Sequence, residues 1–186
     1  MLISHDKRFV FVAVPRTAST SMHKAFMRCS KNYTKKKQHS NEIPKRYQKY
    51  PVVACVRNPY SRAASYYMYR RRHDTAALYP WASKWSFERY VRWFTNPNAR
   101  PRLFKEITQA RFLRPVHVDH LLRFEELPRA FRVLPFAKGV RLPRLNAGLG
   151  KDDWRKLYTR KIADMVYRWA HNDFSKYGYD RDSWRK

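Results

Sequence analysis

The chain has 186 residues, of which 41 are lysine or arginine and 14 are aspartate or glutamate, so its formal net charge is +27 at pH 7. This length fits one domain, and a content of 44% hydrophobic and 16% aromatic residues excludes the charged, aromatic-poor composition of disordered proteins. Because so large a positive charge attracts anions, it limits the partners to nucleic acid, an acidic membrane surface, or a small substrate and cofactor that carry phosphate, sulfate or carboxylate groups.

The first predicted unit is a strand, a loop and a helix. Residues 8–14 form a β-branched and aromatic run that is typical of a strand buried on both faces. The apolar spacing from Met22 to Cys29 predicts a helix that begins near Thr20 or Ser21, with one of these two residues as its N-cap.

The later elements continue this alternation. An apolar run predicts a second strand over residues 51–56, and Pro59 suits the first turn of the helix that follows. A third strand is predicted over residues 118–124, with further helices over residues 87–94 and 162–174. Strands that alternate with helices indicate an α/β domain with a largely parallel sheet, which we expect to extend over residues 1–186 as a single domain.

The sequence favours a cytoplasmic protein. The apolar stretch from Phe9 to Val14 is too short to span a membrane and lacks the cleavage site of a signal peptide. Two cysteines, Cys29 and Cys55, do not make a disulfide framework, so we interpret both as reduced core thiols. We predict no metal site.

Hydroxyl side chains and one arginine follow the first predicted strand. Residues 14–21 read Val-Pro-Arg-Thr-Ala-Ser-Thr-Ser, and they lie where unpaired backbone N–H groups and the positive end of a helix dipole favour phosphate. The stretch contains no glycine, which excludes the glycine-rich loop of an ordinary ATP site. Its guanidinium and hydroxyls suit a tetrahedral oxyanion without a metal, although an ordinary capped loop is the alternative.

A second arginine follows the second predicted strand. Arg57 lies at the carboxyl end of that strand, the edge at which open α/β sheets bind ligands. Ser65 comes about two turns into the next helix, so an arginine and a serine hydroxyl could share one phosphate. Taken alone, Arg57 is equally well explained as a surface residue at a helix start.

Together the two elements resemble the sulfotransferase superfamily that uses 3′-phosphoadenosine 5′-phosphosulfate (PAPS). Residues 15–21 are similar to its 5′-phosphosulfate loop, especially as found in carbohydrate sulfotransferases of the heparan sulfate 2-O type, and residues 56–65 are similar to its 3′-phosphate motif. Weaker similarities to the same superfamily lie at residues 121–127, at Asn146 and at residues 173–179. The resemblance covers nearly the whole chain and implies a P-loop-like, three-layer fold in which helices flank a central, mainly parallel sheet.

The resemblance also implies roles for individual residues. Arg57 and Ser65 would hold the 3′-phosphate of PAPS. The phosphosulfate would be held by Arg16, Thr17, Ala18, Ser19, Thr20 and Ser21. The family normally has lysine where this chain has Arg16, and because a guanidinium is effectively never deprotonated, we expect Arg16 to stabilise leaving-group charge without donating a proton.

Transfer of a sulfuryl group to a hydroxyl needs a general base, and histidine is the usual choice near neutral pH. Of the seven histidines, His39 lies in a segment that resembles the one in which the carbohydrate enzymes place a catalytic histidine. His39 is therefore our candidate base, with Glu42 in reserve, and a surface or capping histidine is the alternative. The predicted mechanism is in-line displacement at sulfur.

The excess positive charge favours an anionic acceptor, such as an acidic glycan, and Trp81, Trp85 and Trp93 could stack on its sugar rings. Each of these tryptophans is more often a core residue. Two other functions remain open. A basic nucleic-acid-binding protein without catalysis would explain the charge, and a P-loop kinase is disfavoured because the loop lacks the usual glycines and lysine.

Overall fold

A computed structural model describes residues 1–72, 84–96, 98, 107–145 and 153–185. These residues divide into two compact units. The first unit comprises residues 1–57 and 109–145, and the second comprises residues 58–72, 84–96, 98, 107–108 and 153–185. That the whole chain forms one sulfotransferase-like domain stays a prediction.

The first unit is built on a five-stranded mixed sheet with the strand order β3-β1-β2-β4-β5. Strand β2 pairs in parallel with β4, and β4 pairs in parallel with β5. Strand β1 is antiparallel to both of its neighbours, β2 and β3. The strands are β1 (Leu2–Ser4), β2 (Phe9–Val12), β3 (Tyr33–Lys35), β4 (Val52–Val56) and β5 (His120–Arg123).

The α/β class is confirmed, and the three predicted strands are present as β2, β4 and β5. Strands β1 and β3 were missed, so the sheet is mixed where a largely parallel one was expected. Each missed strand has only three residues. In addition, β3 is a half-exposed edge strand of sequence Tyr-Thr-Lys, which gives no apolar run to detect.

Helix α1 (Ser19–Cys29) covers one face of this sheet with an apolar stripe. Alternate residues of β2, including Phe9 and Phe11, share one buried cluster with Met22 and Phe26 of α1. The ring of Phe26 lies 5.0 Å from each of the two β2 rings, measured between centroids. The intervening β2 residues are buried as well, which confirms a strand buried on both faces. The helices of the first unit are α1 (Ser19–Cys29), α4 (Gln109–Phe112) and α5 (Leu127–Arg132).

The second unit is helical and rich in aromatic residues. Its predicted helices are confirmed, except that the one expected over residues 162–174 is broken at Ala170. The backbone of Ala170 leaves helical geometry there (φ −107°, ψ 20°), and Val166 before the bend and Phe174 after it are both buried in one core. The helices are α2 (Pro59–Arg72), α3 (Phe87–Thr95), α6 (Arg160–Trp169) and α7 (His171–Tyr177). Of the helices in the part of the chain that the structure describes, none combines the length and apolar character of a membrane span.

The second unit also buries charged side chains. Arg62 of α2 and Asp173 of α7 are both almost completely buried. Burial, together with the neighbouring Asp173 carboxylate, raises the pKa of Tyr177 to about 12, while the Arg62 guanidinium opposes that rise. Since a buried charge is costly unless it is hydrogen-bonded or paired, the Arg62 guanidinium is held by hydrogen bonds from Nη2 to the Tyr66 hydroxyl at 3.1 Å and to the Ile107 carbonyl oxygen at 3.0 Å.

Both cysteines lie in the core of the first unit. Cys29 and Cys55 are free and buried. Burial raises the pKa of the Cys29 thiol to about 11 and that of the Cys55 thiol higher still. A thiol with a raised pKa stays protonated and unreactive near neutral pH, which agrees with the interpretation of both residues as core thiols.

Candidate anion-binding site

Three parallel strands end at one edge of the sheet in the first unit. Val12 of β2 pairs with Ala54 of β4, and Val56 of β4 pairs with Arg123 of β5. The chain leaves these strands into the loop before α1, into Arg57 and into Phe124. Carboxyl ends of parallel strands are where open α/β sheets bind ligands, so this edge collects the candidate site residues of the first unit.

The loop between β2 and α1 contains two residues in the left-handed conformation. Arg16 has φ 67° and Ala18 has φ 60°. This conformation costs a non-glycine residue about 1–2 kcal/mol. Turns of this kind direct successive backbone N–H groups into a concavity that binds anions. Backbone strain of this size, placed next to a helix start, is typical of a functional site.

The first turn of α1 adds to the positive potential at this loop. The helix begins at Ser19, and its N-cap is Ala18, whose methyl side chain cannot accept a hydrogen bond. The expectation of Thr20 or Ser21 as N-cap is therefore wrong, because the left-handed turn at Ala18 starts the helix earlier and brings these hydroxyls inside the first turn. With no acidic residue in that turn, the positive end of the dipole is left for an external anion.

The hydroxyls of the loop differ in what they can donate. Thr17 is buried, and its hydroxyl donates a hydrogen bond to the Val14 carbonyl oxygen at 2.9 Å, so its one proton is already used. The Ser21 hydroxyl accepts a hydrogen bond from the Leu145 N–H at 3.2 Å and keeps its own proton. Ser19 is buried and Thr20 is exposed. A role of Thr17 in anion binding would therefore use its backbone N–H.

Arg57 connects the two candidate anion-binding elements. Its guanidinium Nη1 donates a hydrogen bond to the Arg16 carbonyl oxygen at 3.3 Å. The guanidinium carbon lies 4.1 Å from the centroid of the Phe124 ring, a cation–π contact that fixes its plane. Arg57 as a whole is only 9% exposed. The alternative of an ordinary surface residue at a helix start does not fit these contacts.

His39 lies beside the end of β2. Its ring Nδ1 is 2.7 Å from the Ala13 carbonyl oxygen. Since a carbonyl oxygen only accepts hydrogen bonds, Nδ1 must carry the proton, and Nε2 is then the basic nitrogen of the neutral ring. Asn41 ties the same segment to α4, because its amide Nδ2 donates to the Phe112 carbonyl oxygen at 2.6 Å. The reserve candidate, Glu42, is exposed.

The remaining predicted site residues lie in the second unit or outside the described residues. Ser65 lies on α2, and its side chain is only 2% exposed. Its shared role with Arg57 stays a prediction. Trp85 and Trp93 are half-buried and stack edge to face with 5.8 Å between ring centroids, while Trp81 and Asn146 lie outside the described residues.

His23 is a half-buried histidine close to His39 that the sequence did not single out. It lies on α1, its ring contacts the ring of Phe11 edge-on, and its Nδ1 has no hydrogen-bond partner among the described residues. Partial burial, helped by the positive charges of the N-terminal amino group and of Lys35 and by the nearby His39 ring, lowers the pKa of His23 from 6.5 to about 4. His23 is therefore neutral near pH 7.

Two further residues of the first unit were also missed. Gln109 hydrogen-bonds to the peptide groups of Arg57, and Asn41 holds the His39 segment. Gln109 is 52 residues from Arg57 along the chain and belongs to no motif, so no local pattern could have identified it. Asn41 lies two residues after His39, and its polar side chain was the only signal in the sequence.

A comparison of the chain with family models, with curated proteins and with solved structures finds no match in any of the three.

The low pKa of His23 predicts an acid-sensitive fold. Because the folded-state pKa of about 4 lies below the ordinary 6.5, the unfolded chain takes up this proton first as the pH falls. We expect the free energy of unfolding to decrease between about pH 6.5 and pH 4, and His23→Gln to reduce that decrease, as measured by urea unfolding across the range. The control is His117→Gln, since the His117 side chain is 92% exposed. An equal decrease in His23→Gln and the wild-type protein would contradict this explanation.

Proposed function

We propose that the chain is a sulfotransferase that moves the sulfuryl group of PAPS to a hydroxyl of a carbohydrate or another anionic acceptor. The observation that carries the proposal is the 3.3 Å hydrogen bond from Arg57 Nη1 to the Arg16 carbonyl oxygen. It joins the two elements that resemble the phosphosulfate loop and the 3′-phosphate motif. The β2–loop–α1 arrangement is P-loop-like in its order of strand, anion-binding loop and helix.

The residues of this edge fit the chemistry of PAPS. The left-handed loop and the α1 N-terminus offer backbone N–H donors for the phosphosulfate, and Arg16 adds a cation. The buried Arg57 offers a second, separately oriented cation for a phosphate. When bound, PAPS would supply an activated sulfuryl group and a bisphosphate leaving group.

His39 would act as the general base. The hydrogen bond from its Nδ1 to the Ala13 carbonyl oxygen leaves Nε2 as the nitrogen that can accept a proton from an acceptor hydroxyl. The same bond would stabilise the positive charge that the ring gains, because the carbonyl dipole lies against the charged Nδ1–H. Arg16 would stabilise charge on the departing bisphosphate by electrostatics alone.

The acceptor is proposed from charge. A net charge of +27 exceeds what one nucleotide requires, so an anionic acceptor would be attracted and its encounter rate raised. Trp85 and Trp93 pack against the core of the second unit and are half-buried, and their stacking on sugar rings is part of this proposal.

Removal of the Arg57 guanidinium should weaken binding of adenosine 3′,5′-bisphosphate. Loss of charge-assisted hydrogen bonds worth about 1.5–3 kcal/mol corresponds to an about 10- to 150-fold higher Kd. Calorimetric titration of Arg57→Ala should give this loss for the bisphosphate and little change for adenosine 5′-monophosphate.

Arg28→Ala is the matched control, because Arg28 is exposed in the last turn of α1, at the end opposite the loop. The proposal is wrong if the wild-type protein ignores the bisphosphate yet binds oligonucleotides with a steep salt dependence. That result would favour the nucleic-acid-binding alternative.

Substitution of Arg16 separates its charge from its shape. Arg16→Lys should retain most of the transfer rate, whereas Arg16→Ala should lower it by on the order of 100-fold, because one donor to the developing charge is lost. Alanine and arginine have similar costs at a left-handed position, so the loop conformation is matched. Single-turnover transfer of labelled sulfate from PAPS to a uronic-acid polysaccharide measures the effect. Equal rates in all three proteins would show that Arg16 has no such role.

Removal of the His39 imidazole should impair catalysis without impairing nucleotide binding. We expect His39→Ala to lower kcat by about 100- to 10,000-fold, the usual contribution of a general base. The Kd for adenosine 3′,5′-bisphosphate should stay close to that of the wild-type protein. His117→Ala serves as the exposed control. A loss of activity in Glu42→Gln, with His39→Ala fully active, would assign the base to Glu42 instead.

A further inference from the structure

A buried glutamine holds the backbone of Arg57. Gln109 is the first residue of α4, and it is 0% exposed. Its Oε1 accepts a hydrogen bond from the Arg57 N–H at 2.8 Å, and its Nε2 donates one to the Arg57 carbonyl oxygen, also at 2.8 Å. A single side-chain amide therefore bonds to both polar groups of one residue's backbone.

These two hydrogen bonds form just beyond the end of β4, where the backbone no longer pairs with a neighbouring strand. Val56 is the last residue of β4, and its partner in register, Arg123, is the last residue of β5. Arg57 thus leaves the ladder with backbone groups that still need partners, since a buried N–H or C=O left unpaired is costly. The amide of Gln109 takes the place of a neighbouring strand for this one residue.

The same short helix also holds the segment of the candidate base. The Phe112 carbonyl oxygen, at the other end of α4, accepts the hydrogen bond from Asn41 Nδ2 at 2.6 Å. Asn41 lies two residues after His39. Helix α4 therefore contacts the two segments that carry Arg57 and His39.

We infer that Gln109 is a positioning residue that gives the site its preference for a nucleotide with a 3′-phosphate, an inference that rests on the proposed function. Because its amide is wholly buried and bonded to Arg57, Gln109 acts through Arg57 and does not touch the nucleotide. Its two bonds fix the peptide from which the Arg57 side chain extends, while the Arg16 carbonyl and the Phe124 ring orient the guanidinium itself. Residues that hold a ligand-binding side chain in place, without touching the ligand themselves, determine how strongly that side chain binds.

The test compares two nucleotides that differ in the 3′-phosphate. The ratio of the Kd for adenosine 5′-monophosphate to the Kd for adenosine 3′,5′-bisphosphate measures the preference. Gln109→Met has nearly the same volume and removes both hydrogen bonds, so we expect it to lower this ratio by on the order of tenfold, with the monophosphate Kd unchanged. Gln48→Met is the matched control, because Gln48 is exposed. A general loss of structure would raise both Kd values together.

Two further measurements cover the case in which Gln109→Met does not fold. Gln109→Glu keeps an acceptor for the Arg57 N–H and loses the donor toward its carbonyl, so it should lose part of the preference. In the wild-type protein, hydrogen exchange at the Arg57 amide should be slow, because that amide is buried and bonded to Gln109.

The outcomes distinguish the role of Gln109 from the proposed sulfotransferase function. A wild-type protein that prefers the bisphosphate, with the full preference retained in Gln109→Met or Gln109→Glu, overturns the role of Gln109 and leaves the proposed function standing. Fast exchange at the Arg57 amide also overturns that role. A wild-type protein with no preference for the bisphosphate overturns the proposed function, and the role of Gln109 with it.

Discussion

The parallel pairing of β2 with β4 is the constraint on which the candidate site depends. It aligns Val12 with Ala54, so that the loop after β2 and Arg57 after β4 leave the sheet at the same edge. Only then can Arg57 reach the carbonyl oxygen of Arg16, 41 residues earlier in the chain. The candidate anion-binding loop and the buried guanidinium both depend on this register, and His39 joins them through the contact of its ring with the Ala13 carbonyl oxygen just after β2.

The elements that the sequence predicted correctly are those with a strong local signal. Strands β2 and β4 are continuous apolar runs, and every residue in them is buried. The buried residues of α3 recur with the spacing of one helix face, so the apolar pattern in the sequence matches the burial in the structure. The loop after β2 and Arg57 could be identified as candidates for anion binding, because a strand followed by a helix start has the same electrostatic character in any α/β fold. That argument needs no contact between distant residues.

The features that could not be predicted depend on tertiary contacts or on backbone geometry. Strand β3 exists because β1 offers it a hydrogen-bonding edge, and its own residues give no signal. The N-cap at Ala18 depends on a left-handed turn that alanine seldom adopts. Gln109 became part of the site through a helix of four residues whose side chains meet Arg57 only in the folded chain.

The left-handed conformations of Arg16 and Ala18 affect the stability of the fold and, under the proposed function, the affinity for the anion. Glycine at position 18 would relieve the local strain, but it would also enlarge the conformational freedom of the loop in the unfolded and unliganded states. A loop that is already rigid loses less entropy when an anion arrives. The two strained residues therefore make the folded state slightly less stable. Under the proposed function, the loop would in turn lose less conformational entropy when the anion binds.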